Sequence, residues 1–143
     1  MAAAYLDDDC IFCKILRGEI PCFKIYEDDV VLAFMDVNPL SPGHALVIPT
    51  HHARDILETP GDWTGKAFAA AGLVARAVQK TLSPEGISVV QANGPGAQQS
   101  VFHLHVHVIP RSADDGITMN WELIPGDMDE IRKLAEQIAA NVE

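Results

Sequence analysis

The stretch His103-Leu104-His105-Val106-His107-Val108-Ile109 alternates polar and apolar residues with period two. That is the period of a β-strand, whose successive side chains point to opposite faces. It predicts a long strand over Val101–Ile109, with Leu104, Val106 and Val108 facing a core and His103, His105 and His107 on the other side. Same-face Cα atoms in a strand lie roughly 6.6 Å apart, so the polar face becomes a row of imidazoles. Solubility is a poor reason for that row, because Lys, Glu and Thr serve it better. A metal site is a second use, since imidazole is a common ligand. Three imidazoles along one straight strand do not converge easily on a tetrahedral ion, however. Phosphate chemistry is a third use. A neutral imidazole nitrogen is a good nucleophile toward phosphorus. Its neighbours can donate hydrogen bonds to phosphate oxygens or, with an ordinary pKa near 6.5, carry charge when an anion binds.

Working outward, Ile87–Asn93 reads as a strand running into the tight Gly94-Pro95-Gly96 loop. Phe68, Ala71, Val74, Val78 and Leu82 recur every three or four residues and predict an amphipathic helix. The turn Pro60-Gly61-Asp62 starts it with Asp62 as N-cap, and Ser83-Pro84 stops it. His44–Pro49 predicts a buried strand after the loop marked by Asn38-Pro39 and Ser41-Pro42-Gly43. Phe23–Glu27 and Val30–Met35 read as a hairpin turning at Asp28-Asp29. Cys10–Leu16 predicts a short helix with Gly18 just past its end. Ser112–Gly126 has no clear period. Asp127-x-x-Glu130 is a capping-box-like start, followed by the stripe Ile131, Leu134, Ala135, Ile138 and Val142. Strands joined by short loops, with few helices, imply an α+β domain on an antiparallel sheet. No repeat or linker divides the chain, so residues 1–143 read as one domain with a flexible N-terminus over 1–9.

Apolar residues make up 48% and charged residues 21%, which fits an ordinary globular chain rather than a disordered one. Ten Lys plus Arg against twenty Asp plus Glu give a net charge of −10. That charge disfavours general nucleic-acid binding, so an anionic substrate needs a local device. No apolar run exceeds six residues, and the first nine residues lack the features of a signal peptide. Cys10, Cys13 and Cys22 are odd in number and clustered, which is no disulfide framework. The chain therefore reads as cytoplasmic, with no membrane partner.

The heptad of residues 103–109 resembles the histidine-triad (HIT) signature. Cys10-Ile-Phe-Cys-Lys-Ile15, Gly18-Glu-Ile-Pro21, Tyr26-Glu27, Ala33-Phe-Met-Asp36 and Gly43-His-Ala-Leu-Val-Ile-Pro49 are similar to the N-terminal half of bacterial, Hint-like members. Asn93-Gly94 and Gln99-Ser-Val-Phe-His103 fit the approach to the triad. The resemblance implies a five-stranded antiparallel sheet with two main helices, in a homodimer whose sheets join. It implies a hydrolase or transferase for purine nucleoside phosphoramidates or related phosphoesters. His105 would be the nucleophile, forming a nucleotidyl-histidine and releasing a nucleoside monophosphate. His103 belongs to the same catalytic group. His107 would contact the α-phosphate. His44 would support the triad, or would merely start a strand. Asn93, Gln99 and Ser100 match phosphate or leaving-group contacts, and the 99–101 N–H groups could form an anion nest. Asn93 could instead serve the turn before Gly94. Asp36 matches a ribose contact or could cap its loop. The family often has Gly where Gln98 stands, so the loop conformation is expected to change here.

Cys10-x-x-Cys13 has metal-ligand spacing, although two such cysteines can equally be core residues. The resemblance implies a structural zinc held by Cys10, Cys13, His52 and His103, with His51 adjacent to His52 as a possible substitute. A rival reading is a dinucleoside polyphosphate hydrolase, in which Arg111 would meet an extra phosphate. A rival of another class is a nucleotide-binding regulator with incidental turnover. Asp114 and Asp115 would repel a polyphosphate if they faced the site. Met119-Asn120-Trp121 faintly resembles the tail of the phosphoramidase branch.

Overall fold

The computed structural model describes residues 4–118 and 122–143. A short helix α1 (Ile11–Leu16) precedes the hairpin of β1 (Lys24–Glu27) and β2 (Val31–Met35). Strand β3 (Ala45–Pro49), the long helix α2 (Gly61–Leu82), β4 (Gly86–Val90) and β5 (Val106–Arg111) follow, and α3 (Met128–Ala140) ends the chain. The five strands form one antiparallel sheet in the order β1-β2-β3-β5-β4. The Asp28-Asp29 turn closes because Asp28 Oδ1 accepts the N–H groups of Val30 at 2.8 Å and Val31 at 2.9 Å.

The period of two sorts the sheet into two apolar faces. Val31, Ala33, Ala45, Val47, Val106 and Val108 pack under Ala67, Ala70, Ala71 and Val74 of α2. Leu32, Phe34, Leu46 and Ile48 point the other way, where Phe12 of α1 covers them. In the β3–β5 ladder Leu46 pairs with His107 and Val47 with Val106. The register therefore puts His107 on the α1 side of the sheet. A one-residue slip would send it into the α2 core.

Several expectations change. The strand expected over Val101–Ile109 is β5, which begins only at Val106 and continues to Arg111. Residues 101–105 are drawn off the ladder: the Leu104 N–H bonds to Ala53 O at 2.9 Å, and the His103 and His105 side chains take backbone partners of their own. In α2 the buried face is Trp63, Ala67, Ala70, Ala71 and Val74, while Phe68 and Leu82 are exposed. Small residues win this face because Ala33 and Ala45 let the helix approach closely. Pro60, not Asp62, is the N-cap of α2, and Asp62 sits inside the first turn. Helix α3 starts as expected, Asp127 accepting from the N–H groups of Asp129 and Glu130. Its stripe Ile131, Leu134, Ile138 and Val142 faces outward, 49–74% exposed.

Tyr5 is tied to the segment that follows β3. Tyr5 N–H donates to His51 Nδ1, and the His52 N–H donates to Tyr5 O at 2.6 Å. Among the described residues no helix is long and apolar enough to cross a membrane.

Candidate functional site

A cleft of about 530 Å³ opens on the α1 side of the sheet. Its apolar end is built by Ile11, Phe12, Ile15, Phe34 and Leu46, and its polar end by Asp36, His44, Ser100, His105 and His107. Two loops deliver the polar end. Asp36 N–H bonds to His44 O at 3.0 Å, closing the loop between β2 and β3 and setting the two residues side by side. Gly43, at φ +96°, lets that loop lie against the end of α2, where a Cβ would collide with Leu82. Gln98 takes φ +62°, so this loop keeps a left-handed residue although the position is not glycine. The cost of such a conformation is about 1–2 kcal/mol.

Backbone groups set which nitrogen carries the proton in His105 and His44, and His44 sets it in turn for His107. A carbonyl can only accept, so His105 donates Nδ1–H to His103 O at 2.8 Å, which leaves its Nε2 with a free lone pair. A peptide N–H can only donate, so His44 Nδ1 accepts from Leu40 N–H at 3.0 Å. His44 Nε2 then carries the proton and donates to His107 Nδ1 at 2.9 Å. His107 Nε2 is left with its own N–H. The two residues at the polar end thus have opposite characters: His105 offers a lone pair and His107 a donor.

The electrostatics keep the rings neutral. Burial pushes His107 down to about 4, helped by the neighbouring His105 and His44. Burial also lowers His105 and His44, opposed at His105 by the His103 carbonyl and Asp36, and at His44 by Asp36. Asp36 Oδ2 lies 3.5 Å from His44 Nε2, and its Oδ1 accepts the Asn38 N–H at 2.8 Å, so Asp36 caps its loop as well as facing the site.

Beside the cleft, Cys10, Cys13, His52 and His103 bring their ligand atoms within 4.8 Å of one another. His103 donates Nε2–H to Pro49 O at 3.0 Å, so its Nδ1 lone pair is the atom that faces the thiols. Both Sγ atoms lie 3.5 Å from that nitrogen, Cys13 Sγ lies 3.4 Å from His52 Nδ1, and the two nitrogens are 3.3 Å apart. A tetrahedral zinc with bonds of about 2.3 Å to sulfur and 2.05 Å to nitrogen has S···N edges near 3.6 Å and N···N edges near 3.3 Å. The donor set therefore fits zinc in type, number and spacing. Cys13 Sγ also accepts the Asp7 N–H at 3.3 Å. Burial pushes the Cys13 thiol up to about 11, a cost that a bound cation would offset. Asp36, His44 and His107 form a second close group, but there the fit fails. His44 Nε2 already carries its proton and has no lone pair to give.

The HIT domain family matches residues 17–114. The chain belongs to the HIT family. It is 39% identical over 135 residues to the adenosine 5′-monophosphoramidase of Schizosaccharomyces pombe, covering 94% of this chain and 98% of that one. A crystal structure of a HIT family member from Bacillus subtilis superposes with a TM-score of 0.89 at 37% identity, covering 95% of this chain and 99% of that one. The crystal structure of a Zn-bound histidine triad family protein from Mycobacterium smegmatis gives a TM-score of 0.72 at 33% identity, covering 93% and 98%.

The HIT cleft gathers Asp36, His44, Ser100, His105 and His107 of the expected residues, while His103 turns to the cysteine cluster. Asn93 and Gln99 do not line it. Asn93 Oδ1 accepts from Ile56 N–H at 2.8 Å, and its amide pairs with Gln91. The Gln99 amide donates to Arg54 O at 2.6 Å and Val101 O at 3.0 Å, and accepts from Gly94 N–H at 2.8 Å. Both hold the loops that present Ser100. Within the expected anion nest, the Gln99 N–H is committed to Gly94 O. His51 stacks on Trp63 outside the cluster, so His52 is the residue at the cysteines.

Arg111 and Asp115 bind each other at 2.6 Å, which holds the Asp115 carboxyl far below the usual range. They line a separate groove, and none of Arg111, Asp114 and Asp115 is among the residues of the HIT cleft. Met119-Asn120-Trp121 lies outside the described residues. Sequence reasoning missed the apolar end of the cleft. Its signal was the apolar pair Ile11-Phe12, enclosed between Cys10 and Cys13.

Proposed function

We propose that this protein hydrolyses purine nucleoside 5′-phosphoramidates or related nucleotide phosphoesters through a nucleotidyl-His105 intermediate. One observation carries the reading: a buried, neutral His105 whose Nδ1–H is held by a carbonyl and whose Nε2 is free in the cleft. The base would occupy the apolar end and the ribose would approach Asp36. The His107 N–H would donate to an α-phosphate oxygen, a role suited to a ring that stays neutral near pH 7. His105 Nε2 would attack phosphorus as the P–N bond breaks. The leaving amine would take a proton from solvent at the Ser100 side of the cleft. The nucleotidyl-imidazole is cationic, and the His103 carbonyl on Nδ1–H stabilises it. Water then attacks phosphorus, frees His105 and releases the nucleoside monophosphate.

The cleft lining supports a mononucleotide over a dinucleoside polyphosphate. Among the described residues no Lys or Arg lines it, so there is no fixed cation for a second or third phosphate. The similar protein from Schizosaccharomyces pombe is named as an adenosine 5′-monophosphoramidase, which agrees. Zinc on Cys10, Cys13, His52 and His103 would cross-link the N-terminal segment to the chain entering β5. Its closed set of four protein ligands is the structural kind. A homodimer joined along β4 also fits, because β4 is an edge strand and exposes Val89.

The test compares kcat/KM for adenosine 5′-phosphoramidate with that for diadenosine tri- and tetraphosphate. A preference of at least tenfold for the phosphoramidate is expected, about 1.4 kcal/mol of differential transition-state binding. A tenfold preference for either dinucleotide would transfer the assignment to the polyphosphate reading. AMP binding with no turnover on the whole panel would favour a regulator.

A further inference from the structure

Phe12 sits between two ligands of the cysteine cluster and the residue with the free nitrogen. It is 6% exposed and lies in α1 between Cys10 and Cys13. Its ring meets His105 edge-on, with centroids 5.2 Å apart and planes at 86°. The same ring contacts His103 at 5.9 Å and Phe34 at 5.6 Å, both edge-on. Ile11 and Ile15 of the same helix line the cleft with it.

Helix α1 has only six residues, too few to be stable by itself. Its buried residues are Phe12 and Cys13. Its position therefore depends on what holds Cys10 and Cys13 against His52 and His103.

We propose that Phe12 is a positioning residue that couples the metal cluster to the nucleotide cleft, so that zinc and nucleotide strengthen each other's binding. The inference rests on the proposed zinc and nucleotide sites. Metal ligation pins both ends of the turn that carries Phe12. The pinned ring closes the apolar end of the cleft and packs the edge of His105. A nucleotide in the cleft in turn presses on α1 and holds the cysteines in place. Linkage is reciprocal: the factor by which zinc raises nucleotide affinity equals the factor by which nucleotide raises zinc affinity.

The experiment uses the full chain with AMP as the probe. AMP affinity is measured by calorimetry on zinc-loaded and zinc-free protein, and zinc affinity by equilibrium competition with a chromogenic chelator, with and without AMP. At least a fivefold loss of AMP affinity without zinc is expected, together with an equal fold gain in zinc affinity at saturating AMP. Phe12→Ala should still bind one zinc yet reduce both effects below twofold. Phe12→Leu, which keeps apolar bulk on α1, should retain most of the coupling. A merely structural role would lower stability without changing that ratio. If the zinc-free chain does not stay folded, the chelator arm reads the effect on the zinc-loaded protein. Binding of both ligands without mutual effect, or coupling that survives in Phe12→Ala, overturns the inference alone. Failure to bind AMP or zinc at all overturns it together with the site reading on which it rests.

Discussion

Replacing His44 tests the hydrogen-bond relay from Leu40 through His44 to His107. His44 is 2% exposed and uses both ring nitrogens, accepting from Leu40 N–H at Nδ1 and donating to His107 from Nε2. The two functions can be separated. In His44→Asn the side-chain oxygen takes the Nδ1 position, so Leu40 keeps its acceptor and His107 loses its donor. In His44→Gln the amide nitrogen takes the Nε2 position, so His107 keeps its donor and Leu40 loses its acceptor. Each variant leaves one polar group short of a partner, at a stability cost of about 1–3 kcal/mol. The catalytic costs should differ. Without the His44 donor, His107 can place its proton on Nδ1 and turn a lone pair toward the phosphate. A wrong imidazole tautomer or lost proton-donor geometry typically costs on the order of 10²–10⁴ in rate, or about 2.7–5.5 kcal/mol. His44→Asn should therefore lose at least a hundredfold in kcat for adenosine 5′-phosphoramidate, and His44→Gln less than tenfold. Urea melts should give the two variants matching stabilities, so that a difference in kcat reads the relay and not unfolding. If His44→Asn stays within threefold of the parent, or His44→Gln falls as far as His44→Asn, the relay does not set the protonation of His107.

Three further outcomes are expected. His105→Ala should abolish turnover while leaving AMP affinity within about tenfold, because binding uses the whole cleft; calorimetry and an AMP-release assay check this, and near-normal turnover would rule out the covalent route. Metal analysis of protein purified without chelator should find about one zinc per chain, and Cys13→Ser should lower both that content and the melting temperature, since metal binding and folding are coupled; metal-free protein with normal stability would remove the zinc reading. Stability should fall as pH drops from 6.5 toward about 4, because unfolded His107 takes up a proton near 6.5 while the buried native ring resists protonation down to about 4. The contribution is fully present above 6.5. Urea midpoints at pH 7.5 and 5 should differ less in His107→Asn than in the parent protein, and an unchanged difference would refute the account.

The apolar alternation of residues 104–108 determined which face of the last strand is core, because period two leaves no other arrangement once Val106 and Val108 are buried. Local chemistry likewise placed the Asp28-Asp29 turn, the stop at Ser83-Pro84 and the cap at Asp127. The family and the pairing of Cys10 and Cys13 with distant histidines were legible only as a resemblance. Other features needed the tertiary structure. Three histidines two residues apart look equivalent in sequence, yet they divide into a cluster residue, a lone-pair bearer and a hydrogen-bond donor. That division is made by Pro49 O, His103 O and Leu40 N–H, which are backbone groups and carry no residue-specific signal. Pro49 O and His103 O also delay the start of the strand to Val106, since the His103 and His105 side chains bond away from the ladder. Alanines, not the larger Phe68 and Leu82, face the sheet from α2, because close approach depends on what lies opposite, at Ala33 and Ala45. Arg111 and Asp115 neutralise each other away from the cleft, which no charge count could show. Sequence fixes periodicity and residue chemistry over a few neighbours; the partner that completes each group comes from tens of residues away, and only the folded register chooses it.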